Sequence, residues 1–394
     1  MISESEVKIG INIGKVIREG RGITVYTRNI LDQFGNLDYD YRFVLLHYPK
    51  RVPEDKFGID KAELVPLPYS ENWNPWATIL GEQLLNPWQQ RELGLDVVWH
   101  PHNRCQFIVP VGYVSTLHDI LPLSCPELAS QYLNSLGKRL LYLTRTFSAR
   151  RANMIITGSE FSRQEITRHL GVNPEKVITI HYGVDRQVFK PNKSEEDRER
   201  IRKTYLLPSS YILTTGSYAP HKNLPFLVDA YNQSNLPKEN VELVMVGPND
   251  TLGYRIGYHQ TEEHVKQLGL AEKVKLLPTV PINDLVALYS NAKFFVITSL
   301  HEGFGLTPLE AMACEVPVVA SNVSALPEVC GSAALYADPH DPSGYVGHFN
   351  TLIEDENLRQ RLIENGQTQV RKYDWQTTAR KTLDILRSVA LARR

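Results

Sequence analysis

Short continuous apolar runs, each bounded by turn residues, recur along this chain and alternate with segments of helical spacing. VKIGINIG is the first such run, and ITVYTRNILDQF behind it carries apolar residues at helical intervals. YRFVLLHY, LDVVWH and VGYVSTLHDI follow as strand candidates, then ANMIITGS, the helical EFSRQEITRHLG and the strand KVITIHYG. Runs of this kind suit parallel strands buried on both faces. Their alternation with helices predicts βαβ units and a doubly wound sheet. The pattern breaks after Gly183, where VDRQVFKPNKSEEDRERIRKTYLLPSS is polar, charged and bounded by prolines. It reads as a linker running into a short surface helix. Alternation then restarts with YILTTGS, NLPFLVDAYNQ, VELVMVG, TEEHVKQLG, KVKLLPTV, INDLVALYSNA and KFFVITS, and continues to two closing helices. The expected fold class is therefore α/β, with two Rossmann-like domains in tandem, the first spanning residues 1–186. Ligands of open parallel sheets bind outside the carboxyl ends of the strands. Two such domains facing each other would make a deep cleft, so the loops that directly follow strands matter most.

The bulk numbers agree. A chain of 394 residues is long for a single core. Hydrophobic content of 42% and charged content of 22% suit a globular enzyme, and a net charge of -1 argues against a nucleic-acid partner. MISESEVKIG lacks the basic and apolar regions of a signal peptide, and no run approaches the ~18 apolar residues of a membrane span. Cys105, Cys125, Cys314 and Cys330 form no CxxC pair and read as buried thiols of a reducing cytoplasm.

Two loops of the second half carry candidate chemistry. After YILTTGS comes YAPHKNL, where Lys222 puts a cation at a strand's carboxyl end and Gly216 and Ser217 would let a phosphate approach the backbone. The plain alternative is a solvated lysine before a helix capped by Asn223. This is not a P-loop, because His221 stands where that motif needs glycine. After KFFVITS comes SLHEGFGLTPLEAMACEVPVVAS, with Glu302 and Glu310. On one continuous helix the two acids would lie about 12 Å apart. Gly303 and Gly305 favour a loop instead, with helix onset at TPLE. Thr307 would then be the N-cap, Pro308 the first helical residue and Glu310 the acid of a capping box. Glu302, by its position alone, reads as a solvated loop acid.

SLHEGFGLTPLEAMACEVPVVASNVSALPEVCGSAALYADPHDP resembles the donor-site signature of the family 4 retaining glycosyltransferases, which have the GT-B fold. TGSYAPHKNL resembles that family's phosphate loop, STLHDI its first-domain histidine loop and GRGITVYTRNIL its glycine-containing loop after the first strand. SEFSRQEITRHLGVNPEKVITIHYGVDRQVFKP resembles its interdomain region. All five segments run in the family's order. The resemblance implies that the first domain binds the acceptor, that residues 187–374 bind a nucleotide-sugar, and that a last helix, 375–394, returns to the first domain. Donor-binding residues would be Gly22, Gly216, Ser217, His221, Lys222, Glu302, Gly303, Phe304, Gly305, Leu306 and Glu310. Glu302 would hold hydroxyls of the transferred sugar and Glu310 both ribose hydroxyls, since a carboxylate can accept from two adjacent hydroxyls. Lys222 and the helix amides after Gly305 would hold the diphosphate, with His118, Lys222 and Glu302 as the catalytic set. The family needs no cofactor or metal. His221 replaces the usual arginine, which hands the missing charge to Arg18 or Arg21. UDP-glucose is the first donor expected and GDP-mannose the second, with a saccharide or lipid-linked acceptor in bacterial surface polysaccharide assembly. A phosphorylase, a nucleotide-sugar epimerase and a silent sugar-nucleotide sensor share the architecture.

In the first half, WHPHN places His100, His102 and Asn103 at a strand end, and Asp119 follows His118. We place His102, Asn103 and Asp119 on the acceptor side. The rival is a metal-dependent hydrolase using His100, His102, His118 and Asp119, since H-x-H is also a ligand pattern. Gly20 and Gly22 alone would be a turn before a helix. Residues 128–159 contain no acid but carry Lys138, Arg139, Arg145, Arg150 and Arg151 among leucines and aromatics. That is a solvated basic helix face or, if the acceptor is lipid-linked, a face resting on anionic lipid at the inner membrane surface.

Overall fold

A computed structural model describes residues 7–14, 22–37, 41–53, 56–70, 77, 80–103, 106–129, 135–248 and 252–393, with the side chains at 129, 135–141 and 252–253 outside the description. The chain forms two compact units, Met1–Gly183 with Trp375–Arg394, and Val184–Asp374.

The first unit is a seven-stranded sheet. Its strands are β1 (Val7–Asn12), β2 (Tyr41–His47), β3 (Glu63–Pro66), β4 (Val97–His100), β5 (Gly112–Thr116), β6 (Met154–Thr157) and β7 (Val177–Thr179), in the order 3-2-1-4-5-6-7. Every pairing is parallel. Ile9, Ile11, Val97, Trp99 and Val114 are wholly buried, which is why these strands read as unbroken apolar runs. The helix Gly22–Asn36 and the returning helix Trp375–Leu391 pack on one another, and the latter also lies on β4 and β5. Gly112 admits it closely: a Cβ there would come within 2.9 Å of Val389 Cγ1.

The second unit is a six-stranded sheet of β8 (Tyr211–Thr215), β9 (Glu242–Val246), β10 (Val274–Leu277), β11 (Phe295–Ile297), β12 (Val318–Ser321) and β13 (Ala334–Ala337), in the order 10-9-8-11-12-13 and again parallel. Strand order reverses between β1 and β4 in the first sheet and between β8 and β11 in the second. Such switch points open a crevice at the carboxyl edge. The segments Gly216–Lys222 and Thr298–Glu302, distant in sequence, are neighbours because they leave β8 and β11 there.

Several elements go unread in the sequence. β3 is a short edge strand closed by a proline, where proline costs no ladder bond. The helix Asn86–Glu92 follows a π-helical turn, Gly81–Leu85. The helix Pro342–Glu354 contains two glycines and many poor helix formers, and is held by burying Tyr345, Phe349 and Leu352 at helical spacing.

Candidate functional site

The second unit assembles the two loops around one ion pair. Lys222 ends a 3-10 turn, Pro220–Lys222, and reaches Glu302 Oε1 at 2.5 Å. Two backbone ties hold the loops together: Leu300 N–H donates to His221 O at 2.7 Å, and Thr298 Oγ1 donates to Lys222 O at 3.1 Å. Ser299 Oγ also donates to Glu302 Oε1, at 2.6 Å, while Oε2 accepts no hydrogen bond among the described residues. Burial raises the Glu302 carboxyl, but the charges of Lys222 and His221 and the hydrogen bonds from Lys222 and Ser299 outweigh it and hold the group below its ordinary value. Glu302 is thus no solvated loop acid, and Lys222 no solvated lysine. Gly216 stands at φ 131, and a Cβ on it would lie 3.7 Å from Lys222 Nζ. A pocket lined by Gly216, Ser217, Lys222, Thr298 and Ser299 opens beside them. Asn223 occupies the N-cap position of the next helix without capping it; its amide donates to Pro339 O.

The expected capping box does not form. The helix runs Leu306–Ala313, with Gly305 as N-cap at φ 108 and no side-chain cap. Gly305 makes the turn because it alone fits: its φ is left-handed and a Cβ would meet Leu326 Cδ2 at 2.9 Å. Thr307 and Pro308 therefore sit inside the first turn, and Glu310 falls in the second, turned inward. Tyr289 Oη donates to Glu310 Oε2 at 3.0 Å and is 2.6 Å from Thr215 Oγ1, which therefore donates to it. Among the described residues no side chain or amide donates to Glu310 Oε1. Burial pushes this carboxyl up to about 7, against the Tyr289 hydrogen bond, which lowers it. Each acid thus has one oxygen anchored and one open. Between them Phe304 is buried, its ring edge-on to Tyr373 with centroids 5.6 Å apart, which pins the loop Gly303–Gly305.

The first unit gathers the histidine loop. His118 is buried, with Nδ1 2.7 Å from Tyr182 Oη and Nε2 2.9 Å from Pro101 O. A carbonyl only accepts, so Nε2 carries the proton and Nδ1 accepts from Tyr182. Burial lowers the ring's pKa, which favours this neutral tautomer. Tyr26 and Tyr182 pack on the same ring, and Tyr182 stacks on Trp375 of the returning helix. Asn103 ties two loops, accepting from His118 N–H at 2.8 Å and donating to Asp119 O at 3.4 Å. Asp119 accepts from Leu121 N–H at 3.2 Å. His102 is buried and stacked on His100. Gly22 opens its helix with nothing within 4 Å of a Cβ position. Gly20, Arg18, Arg21 and Cys105 lie outside the described residues.

Among the described residues no group of three or more His, Cys, Asp or Glu could hold a metal. His118 has both ring nitrogens engaged, which removes a ligand from the four-residue hydrolase site. Cys314 and Cys330 are buried thiols, whereas Cys125 is only half-buried. The site's supporting residues were missed in the sequence. Ser299 lies inside the quoted donor loop, Thr215 opens the quoted phosphate loop and Tyr182 lies inside the quoted interdomain segment; Tyr289 carries no signal beyond apolar context.

Comparison with known proteins covers both units. The model of the glycosyl transferases group 1 matches residues 197–369, and that of glycosyltransferase family 4 matches residues 20–188. The O-antigen chain mannosyltransferase B of Escherichia coli is 32% identical over 312 residues, 77% of this chain and 78% of that protein. The serotype-specific mannosyltransferase WbdA of the same organism is 31% identical over 283 residues, 70% of this chain, which spans about a third (33%) of that longer protein. Among solved structures, HepE of Anabaena in complex with UDP and glucose superposes with a TM-score of 0.75 at 20% identity, over 97% of this chain and 100% of that one.

Proposed function

This chain belongs to glycosyltransferase family 4 and has the GT-B fold, and on that premise we propose that it moves a mannosyl group from GDP-mannose to a hydroxyl of a saccharide or lipid-linked acceptor, with retention at the anomeric carbon and without a metal. The observation that carries this reading is the Lys222–Glu302 pair beside Gly216, with Glu310 one loop away. The diphosphate takes Lys222 and the first turn of the 306–313 helix; Glu302, released from its lysine, accepts sugar hydroxyls; the open oxygen of Glu310 faces the ribose. No side chain of the set is placed as a nucleophile. The leaving diphosphate therefore helps deprotonate the acceptor on the same face of the sugar, and stabilising that leaving group is the main work of Lys222. The first unit binds the acceptor, and His118, held neutral, positions it. Mannose ranks before the glucose expected from sequence because the relatives above 30% identity are mannosyltransferases. The O-antigen relative supports surface polysaccharide assembly as the setting.

A sugar-nucleotide panel tests the donor, because a ligand of the native state alone raises the melting temperature. GDP-mannose is expected to raise it more than UDP-glucose at equal concentration; the reverse order returns glucose to first place. The same titration carries a pH signature. Accepting ribose hydroxyls favours the Glu310 carboxylate, so binding releases a proton wherever the free carboxyl is protonated. With that carboxyl at about 7, affinity for GDP-mannose should be level above pH 7 and fall by about tenfold per unit below it. A sugar diphosphate diester has no ionisation of its own there. Glu310→Gln should flatten the profile; a wild-type profile flat from pH 5 to 8 removes Glu310 from the ribose.

We also propose that the first unit rests peripherally on the cytoplasmic face of the membrane. Among the described residues no helix is long and apolar enough to cross a membrane. The helix Ser135–Arg151 exposes Leu143 and Phe147 beside Arg150 and Arg151, with Arg151 over the Phe147 ring. Phe107 packs on Phe147 and donates its backbone N–H to Gln83 Oε1, which joins this face to the exposed Leu80, Leu84 and Trp88. The side chains of Lys138 and Arg139 lie outside the description. The protein should sediment with anionic liposomes at low salt and release in part at high salt, where surface attraction is screened. Equal recovery with neutral vesicles leaves a solvated helix.

A further inference from the structure

The first unit holds a second polar group that the donor chemistry does not use. His100 and Ser115 are register partners on β4 and β5, so their side chains leave the sheet on one face, opposite Trp99. Tyr113 shares that face, and its ring meets His100 edge-on with centroids 5.2 Å apart. Tyr113 Oη lies 3.4 Å from Ser148 Oγ, which accepts from Gln106 N–H at 3.1 Å; Gln106 in turn exchanges amide hydrogen bonds with Gln90. These links bring the helices Asn86–Glu92 and Ser135–Arg151 onto the same face. Each helix precedes a strand of a parallel sheet and runs back against it, so its N-terminal end lies toward the carboxyl edge. Asn86, one turn before Gln90, and Arg145, one turn before Ser148, therefore lie on the side of His100.

Every one of these four carries buried atoms with no hydrogen-bond partner among the described residues: both ring nitrogens of His100, both ends of the Asn86 amide, Ser115 Oγ, and Nε and Nη1 of Arg145. His100, Asn86 and Ser115 are 4%, 1% and 2% exposed. A native fold leaves few such atoms unpaired, and each is destabilising unless something meets it. Burial pulls the His100 ring down to about 3, so it is neutral and offers one donor and one acceptor. Asn86 and Ser115 also offer both. That mixed set matches hydroxyl groups, which do the same. Arg145 only donates, through a planar guanidinium fork that suits an anion.

We infer that Asn86, His100, Ser115 and Arg145 form a subsite for a hydroxyl-rich ring bearing an anionic group, a sugar phosphate or a uronic acid of the acceptor. This rests on the reading of the first unit as the acceptor half, and His102, stacked on His100 at 5.9 Å, joins it to the acceptor residues already placed there.

The test is a titration of the full chain followed by the His100 ring resonances, identified with His100→Gln, using mannose 6-phosphate, glucuronate, mannose and inorganic phosphate as probes. One of the two anionic sugars should bind at least about tenfold tighter than mannose or phosphate, and which one tells phosphate from carboxylate. Arg145→Met should remove that preference. Asn86→Leu should abolish binding without lowering the melting temperature, because it deletes an amide that no described residue pairs. GDP-mannose affinity should be unchanged in both variants, so a failure of GDP-mannose to bind the wild type counts against the donor site and not against this one. Equal binding of charged and neutral sugars, a preference that survives Arg145→Met, or Asn86→Leu that lowers the melting temperature while sparing binding would each overturn the subsite.

Discussion

Glu302→Ala is expected to lower kcat/KM by about a hundred- to a thousandfold while free GDP binds within about threefold of wild type. The asymmetry follows from the geometry. Glu302 is held through one oxygen by Lys222 and Ser299, beside the glycine of the phosphate loop. An acid that holds only the transferred sugar adds nothing to a nucleotide that lacks one. Its loss falls on kcat wherever the contact strengthens in the transition state. Glu310→Ala should show the opposite pattern: free nucleotide and donor weaken alike, by about ten- to a hundredfold, because the hydrogen bonds lost go to a charged group worth roughly 1.5–3 kcal/mol. Calorimetry with free nucleotide beside kinetics with donor separates the two. Should Glu302→Ala abolish nucleotide binding while Glu310→Ala spares it, the two roles are exchanged.

Lys222→Met should lower both activity and stability, and a second substitution should uncouple them. Removing the cation leaves Glu302 with its positive partner gone and its surroundings unchanged. Breaking a buried pair from one side costs about 3–5 kcal/mol, or roughly 6–20 °C in melting temperature for a domain of this size. Adding Glu302→Gln removes the stranded charge, so the double variant should regain most of that stability. Activity should stay down by at least about a hundredfold in both, since the diphosphate has lost its cation. Recovery of turnover along with stability would mean that Lys222 only balances Glu302 and never meets the leaving group.

The sheets were legible because their strands are buried on both faces. Ile9, Ile11, Val97 and Val244 have no solvent side, so each strand reads as an unbroken apolar run. Strand order was not legible. Nothing in the residues says that β8 lies beside β11, so Lys222 and Glu302 could be nominated separately but not as a pair. The local grammar also misled at one point. TPLE satisfies every rule of a capping box, yet the backbone at Gly305 starts the helix earlier and turns Glu310 toward Tyr289, a tertiary contact that overrides the local choice. His118 was visible as a motif residue, but its tautomer depends on Pro101 and Tyr182, which only the fold brings to it.

We propose transfer from a nucleotide-sugar with retention, driven by Lys222 and not by a metal. The most direct measurement is proton NMR of GDP-α-mannose cleavage by the protein in EDTA, read before the released sugar mutarotates. α-Mannose is expected as the first anomer, at a rate that the chelator leaves unchanged and that Lys222→Met lowers by at least about a hundredfold. β-Mannose appearing first, or turnover that stops in EDTA and returns with manganese, would contradict it.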